Sequence, residues 1–236
     1  GICPGSKVEV LLRGSVAGVD GREFTPATAE YRRQCRRELG IPPESPVIGF
    51  VGRVVRDKGV SELVGAWRLL RTQFPNLHLL VVGPFDQDDP VPDNVATELR
   101  TDPRIRLTGK RWDTSRLYAA MDLLALPSYR EGFPVVTLEA AAAGIPVVAS
   151  TAPGCVDAVI DGQTGALVPI RDTAALAQAL ARYLNDPELR AHHGASARLR
   201  VLRHYQPEAL CRELQMRYAA WIAAARTAED TGFAPE

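Results

Sequence analysis

The chain has 236 residues, 46% of them hydrophobic, and its 28 Lys plus Arg are matched by 28 Asp plus Glu. That length fits one large α/β domain or two small ones, and the balanced charge leaves no global field to draw the chain to nucleic acid or a membrane. The four cysteines (Cys3, Cys35, Cys155 and Cys211) make no zinc spacing and read as free thiols of a reducing cytoplasm; no apolar run approaches the roughly 18 residues of a membrane span.

No signal-peptide pattern is visible, and the chain begins at Gly1 rather than Met, as a fragment of a longer protein would. Residues 1–20 read as an entry segment rather than a domain: Val8 to Leu12 as a strand, Gly14 to Asp20 as a Gly-rich connector. Thr28 to Leu39 is a helix carrying Arg32, Arg33, Arg36 and Arg37, a basic face of the solvated kind, with anionic lipid as the weaker alternative. Val47 to Val51 is a short apolar run of the buried-strand type, closed by Gly52. Arg53 follows, and then a helix from about Lys58 to Phe74 with Asp57 as N-cap. Leu77 to Val82 is the second strand, closed by Gly83. An acidic loop, Asp86 to Asp93, leads to a short helix over Asn94 to Arg100. Ile105 to Thr108 is the third strand, ended by Gly109, and Thr114 to Met121 the next helix.

Leu123 to Leu126 and Ile145 to Ala149 are further buried strands. Between them lie a polar loop, Pro127 to Gly132, and a helix, Phe133 to Ala143, opened by Pro134 and stopped by Gly144. Pro153 to Ile160 is a short helix and Gly165 to Val168 the last strand. Thr173 to Leu184, Pro187 to Arg203 and Pro207 to Ala225 are helices, and the tail from Thr227 has no pattern. His78 falls in a strand, His192 and His193 on a helix face, and His204 near a helix end. Strands alternate with helices at βαβ spacing and are near-continuously apolar. Both features specify one α/β domain with a doubly wound, Rossmann-like parallel sheet covered on both faces.

Ligands of such sheets bind outside the carboxyl ends of the strands. Gly52, Gly83, Gly109 and Pro127 end their strands at similar points, so Arg53, the Gly83 loop, the Gly109–Lys110 loop and the Glu131 loop share one rim. Glu131 precedes a helix start whose first N–H groups have no partner inside the helix and favour an anion. Glu139 lies further along, and helical side chains lean towards the N-terminus. Two carboxylates around an anion site suit a phosphorylated sugar or a nucleotide sugar; alone, they read more simply as ordinary surface acids. Lys58, in the first turn of its helix, opposes the dipole by about 0.3–1 kcal/mol, a conflict that a docked anion removes. Arg53 can grip two phosphate oxygens, or pair with a neighbouring acid. The two constellations together favour a diphosphate clamp.

The stretches F-V-G-R-V-V-R-D-K-G (Phe50 to Gly59) and P-S-Y-R-E-G-F-P-V-V-T-L-E-A-A-A-A-G-I-P-V-V-A-S (Pro127 to Ser150) resemble the donor-binding, C-terminal half of retaining glycosyltransferases of family 4, which have the GT-B fold. Glu131-x7-Glu139 matches the signature of that family. Gly14 to Asp20 resembles its interdomain linker, and Asp161 to Pro169 and Asp186 to Arg190 are also typical. The resemblance implies transfer of a hexosyl group from a nucleoside diphosphate sugar, weakly a UDP-sugar, to a glycan or lipid-linked acceptor. It implies that Arg53 and Lys58 bind the diphosphate, and that Glu131 holds hydroxyls of the transferred sugar; these three act on the reacting groups. Gly52 borders the site, and backbone groups of Gly132, Phe133, Pro134, Val135 and Val136 meet the sugar and the diphosphate. Glu139 binds the ribose, and Gly109 and Lys110 border the base.

Under that resemblance, residues 1–20 are the interdomain linker, 21–205 the nucleotide-sugar-binding domain, 206–226 a helix that packs towards an N-terminal acceptor domain missing from this chain, and 227–236 a tail. The expected setting is the cytoplasm, with peripheral contact at the inner membrane face as an extension. Neither a cofactor nor a metal is expected. The rival readings are a metal at Asp86-x-Asp88-Asp89, which superficially resembles a D-x-D motif, a stand-alone nucleotide-sugar-binding module or partner subunit, and a nucleotide-sugar epimerase.

Overall fold

In the computed structural model, residues 10, 14 and 18–230 are described, with side chains through residue 226. The expected strand Val8 to Leu12 (Val10 excepted), the middle of the Gly14 to Asp20 connector and the end of the tail lie outside the described residues. Among the described residues, six strands, β1 (Val47–Val51), β2 (His78–Val82), β3 (Ile105–Gly109), β4 (Leu123–Leu126), β5 (Val147–Ser150) and β6 (Gly165–Val168), form one sheet in the order β3-β2-β1-β4-β5-β6. Every pairing is parallel. The helices are α1 (Ala29–Glu38), α2 (Val60–Gln73), α3 (Asp93–Thr101), α4 (Thr114–Ala120), α5 (Val135–Ala142), α6 (Pro153–Ala158), α7 (Thr173–Asn185), α8 (Pro187–His204) and α9 (Pro207–Asp230). This is the doubly wound, Rossmann-like α/β architecture expected from the sequence.

The strands are apolar throughout because both faces of the sheet are covered. Side chains alternate across a strand, so Val47, Val51, Leu80, Val82, Leu124 and Leu126 meet α1, α4, α5 and α8 in one core. Ile48, Phe50, Leu79, Val81, Leu123 and Ala125 meet α2, α3 and α7 in the other. Fully burying a Leu, Val or Phe contributes about 1.5–3 kcal/mol each, so the two cores hold the sheet whatever the rim does. Thr28 and Asp172 cap α1 and α7 through side-chain oxygens that accept from Tyr31 N and Ala175 N. The topology reverses between β1 and β4, which pair directly. That places the switch-point crevice between the loops after Val51 and after Leu126.

Several sequence expectations are corrected. α2 begins at Val60, not Lys58, and Asp57 is not its cap: Arg56–Lys58 is a separate 3-10 turn, ended by Gly59 in the left-handed region at φ 66. A Cβ on Gly59 would lie 2.0 Å from the Pro127 carbonyl oxygen, so the chain turns where β1 and β4 loops touch. Ile145 belongs to the turn before β5, its N–H donating to Ala140 O. α5 begins after Pro134, leaving Phe133 outside it, and α6 ends at Ala158. α9 runs four residues beyond the expected tail boundary, through Asp230. The α1 arginines are not one solvated face. Arg36 is buried and donates to Asp122 at 2.7 Å and to the Ala120 carbonyl, while Arg33 and Arg37 pair with Glu44 and Glu30. His193 is buried, with its Nδ1 2.7 Å from the Tyr183 hydroxyl. Among the described residues, no helix is long and apolar enough to cross a membrane.

Candidate functional site

The rim is built where three strand ends lock together. Gly52 N–H donates to Val82 O and Gly83 N–H to Gly109 O, and a Cβ on Gly83 would lie 1.9 Å from the Gly52 carbonyl oxygen. Glycine at 83, with φ 140, is what lets the β1 and β2 ends approach so closely. The loop after β4 docks on the 3-10 turn after β1: Tyr129 N–H donates to Asp57 O at 2.8 Å, and Arg130 pairs with Asp57 at 3.2 Å. The sequence-expected neighbours therefore do share one edge of the sheet.

At the centre of the crevice, Lys58 Nζ lies 2.6 Å from Glu131 Oε1, with the two side chains 20% and 11% exposed. The Ser128 hydroxyl donates to the same carboxylate oxygen at 2.7 Å. Ser128 is fully buried, and its carbonyl accepts from the Ser150 hydroxyl. Behind the loop, Gly154 N–H donates to Glu131 O, and a Cβ on Gly154 would lie 2.1 Å from Gly132 O. α6 therefore supports the Glu131 loop from beneath. Burial, with help from the Glu131 charge, pushes the nearby Cys155 thiol up to about 12, so it stays protonated.

Gly132 is exposed, and Pro134 stands at the N-cap of α5 with no side-chain cap bond. The first-turn N–H groups at Val135 and Val136 thus have no acceptor inside the helix. Glu139 is half-buried one turn further on and accepts from the Tyr118 hydroxyl at 2.7 Å. The same hydroxyl reaches Val136 O at 3.3 Å, so the Glu139 carboxylate lies back along the first turn, as its lean predicts. Burial raises the Glu139 carboxyl above its usual range, and the Tyr118 bond opposes that. Burial and the Glu139 charge hold the Tyr118 phenol well above its ordinary value.

Arg53 is half-exposed at the strand tip and pairs with Asp86 at 2.7 Å. Each partner stabilises the charge of the other: the hydrogen bond to Asp86 raises the Arg53 guanidinium, and bonds from Asp88 N–H and Arg53 lower the Asp86 carboxyl. Asp89 of the same loop accepts from Asp57 N–H at 2.8 Å. Lys110, exposed after β3, lies 4.4 Å from the centre of the exposed Trp112 ring. The expected pairing of Arg53 with Lys58 as one bare cationic clamp is thus resolved into two ion pairs, Arg53–Asp86 and Lys58–Glu131. The dipole conflict inferred for Lys58 does not arise, because Lys58 precedes α2.

Two contributors were not singled out in the sequence: Ser128 and Tyr118 orient the two glutamates. Asp86, read from the sequence as part of a metal motif, holds Arg53. Ser128 stands three residues before Glu131 and was open to local reading. Tyr118 is 21 residues from Glu139 and carries no local signal.

The sequence profile of the group 1 glycosyl transferases matches residues 32–200. The chain belongs to that family. A D-inositol 3-phosphate glycosyltransferase of Corynebacterium efficiens is 36% identical over 225 residues, covering 92% of this chain and 52% of that protein. The C-terminal domain of a group 1 glycosyl transferase from Francisella tularensis superposes with a TM-score of 0.71 at 27% identity, covering 80% of this chain and 99% of that one. Anabaena HepE in complex with UDP-glucose gives a TM-score of 0.78 at 25% identity, over 86% of this chain and 56% of that one. The chain spans about half the length of the curated relatives it matches. This group 1 domain therefore has the fold of the C-terminal half of a GT-B glycosyltransferase.

Proposed function

We propose that this group 1 domain is the donor-binding half of a retaining glycosyltransferase of family 4. It holds a nucleoside diphosphate sugar, with UDP as the preferred nucleotide, for transfer of a hexosyl group to a glycan or lipid-linked acceptor selected by an N-terminal half. Working at the cytoplasmic face of a membrane belongs to the same proposal. The observation that carries it is the Lys58–Glu131 pair at the switch point, 2.6 Å apart, under the uncapped start of α5.

A sugar diphosphate in that crevice would exchange partners with the pair. Lys58 would turn to the phosphate oxygens and Glu131 to sugar hydroxyls, so neither charge loses its compensation. Arg53, whose pair with Asp86 is half-exposed and therefore weak, would release Asp86 for the second phosphate. As the glycosidic bond breaks, negative charge grows on the diphosphate, where two cations and the α5 N–H groups are already in place and need no reorganisation. Glu139, oriented by Tyr118, would accept from the ribose hydroxyls, and the Gly109–Lys110 loop would border the base. Retention fits attack on the same face as the departing diphosphate, with a phosphate oxygen taking the acceptor proton. Two cations supply the neutralisation a metal would otherwise bring, so the proposal includes none, and the isolated domain binds donor but transfers little.

Calorimetry with UDP, GDP, ADP and their sugars tests the reading. Micromolar to low-millimolar binding of one nucleotide sugar is expected, unchanged by chelator and weakened about tenfold or more, ~1.4 kcal/mol, by Lys58→Ala or Glu139→Ala. Unchanged affinity in both variants overturns the site assignment.

A further inference from the structure

A second concave site lies at the opposite end of the sheet. Asp122 and Pro146, the residues just ahead of β4 and β5 or in the turn leading to them, line a groove of about 600 Å³ between α1, the β5 turn and α8. The donor rim is at the carboxyl ends of the same strands, roughly 13 Å away for four residues of strand. The volume falls within the ~300–1,000 Å³ of sites that hold small organic ligands. One wall is apolar: Ile145, Pro146, Leu199 and Leu202 line it, and Leu199 is 62% exposed.

The polar wall has one sign. Arg32, Arg190 and Arg198 line the groove against a single acid, Asp122. One carboxylate serves two guanidinium groups: its Oδ2 accepts from Arg36 at 2.7 Å and from Val47 N–H at 2.7 Å, and its Oδ1 accepts from Arg32 at 3.3 Å. Arg32 Nε is buried without an acceptor among the described residues. Among the described residues, Arg190 and Arg198 bond only to carbonyl oxygens, of Tyr183 and of Phe24, Ala142 and Gly21. Carbonyls satisfy N–H groups but do not cancel charge, so among the described residues the groove holds more positive than negative charge beside exposed hydrocarbon. An anion there gains charge-assisted bonds of the stronger kind, and a chain attached to it covers Leu199 and Leu202.

We propose that this groove binds an anionic amphiphile, a phosphate or carboxylate head carrying a hydrocarbon chain, at a site separate from the nucleotide-sugar rim. The head meets Arg32 and Arg190 in the field of Arg198, and the chain lies on Ile145, Pro146 and Leu199. A surface anion site alone would not need the apolar wall, and a hydrophobic docking face alone would not need three arginines. The proposal does not depend on the donor assignment, because no residue of the rim lines the groove.

The test titrates the full chain with dihexanoyl phosphatidic acid below its micellar concentration, followed by calorimetry. Inorganic phosphate and dihexanoyl phosphatidylcholine serve as head-only and chain-only probes. The phosphatidic acid is expected to bind below about 1 mM and at least about tenfold more tightly than either control. Leu199→Glu, a change at an exposed side chain, and Arg32→Gln should each weaken it about tenfold or more, while circular dichroism shows the fold retained. Phosphate binding as tightly as the phosphatidic acid, phosphatidylcholine binding as tightly, or equal affinity in folded Leu199→Glu and parent protein would each overturn the proposal.

Discussion

Lys58 and Glu131 neutralise each other in a crevice that is only partly open to water, and this makes single substitutions informative. Lys58→Ala leaves the Glu131 carboxylate with Ser128 as its remaining side-chain partner. Removing one member of a fully buried pair costs about 3–5 kcal/mol, and with the exposure retained here we expect about 2 kcal/mol. Urea denaturation measures it. In the double variant Lys58→Ala/Glu131→Ala most of that loss is recovered, whereas donor binding stays lost; recovery of both would remove the clamp from the proposal. Glu139 behaves oppositely. Its folded carboxyl is raised by burial from the ordinary value of 4.5, so the folded state holds the proton more firmly than the unfolded one. That stabilising term is full below pH 4.5 and is lost as pH rises through the raised value. Glu139→Gln should therefore match the parent near pH 4 and melt ~2–4 °C higher at pH 7, while binding nucleotide sugar less well. A lower melting point at pH 7 would show that the ion is favoured in place.

At the level of elements, the site depends on how closely the β1, β2 and β4 ends approach. Gly59 ends the 3-10 turn at φ 66 with the Pro127 carbonyl against its Cα. Gly59→Ala combines left-handed strain with a backbone collision, and a loss of about 3 kcal/mol or more is expected in chemical denaturation. Because that turn also positions Lys58, donor affinity should fall in the protein that remains folded. A neutral Gly59→Ala would mean that the two loops can separate without consequence. α6 and the exposed start of α5 set the floor of the same crevice, tied by the tight approach of Gly154 to Gly132 and by the Gly154 N–H bond to Glu131 O.

At the scale of the whole molecule, one helix, α9, leaves large apolar side chains exposed. Leu210 is buried, but Met216, Tyr218, Trp221 and Ile222 of α9 are each more than half exposed. Its start is adjacent to the incoming chain: Val19 N–H donates to Tyr205 O, and Arg22 pairs with Glu208 at 3.0 Å. Removing residues 211–236 should therefore shift the melting temperature by less than ~2 °C; a large loss would show that α9 contributes to the core. An apolar stripe of this kind fits the proposed contact with an N-terminal half. Joining such a half should bury Trp221, read as a blue shift of its fluorescence, and raise transfer well above that of the chain alone.

The strands were legible because burial on both faces of a parallel sheet leaves short, wholly apolar runs: Val47–Val51, Leu123–Leu126 and Gly165–Val168 fall where the sequence put them. The glycines and Pro127 after those runs marked one rim, and the spacing of Glu131 and Glu139 set both beside one helix start. Pairings depend on distances between residues far apart in the chain, and no local pattern encodes them. Whether Arg53 would face Asp86 or stay bare, whether Lys58 would sit in a helix or a 3-10 turn, and which hydroxyl would orient Glu139 were decided by the approach of Gly59 to Pro127 and of α4 to α5. Composition, periodicity and motif spacing determined the family of fold and the residue types at its rim. Only the packed structure decided which charges compensate each other, because a charge takes its partner from whatever the folded chain places within about 4 Å.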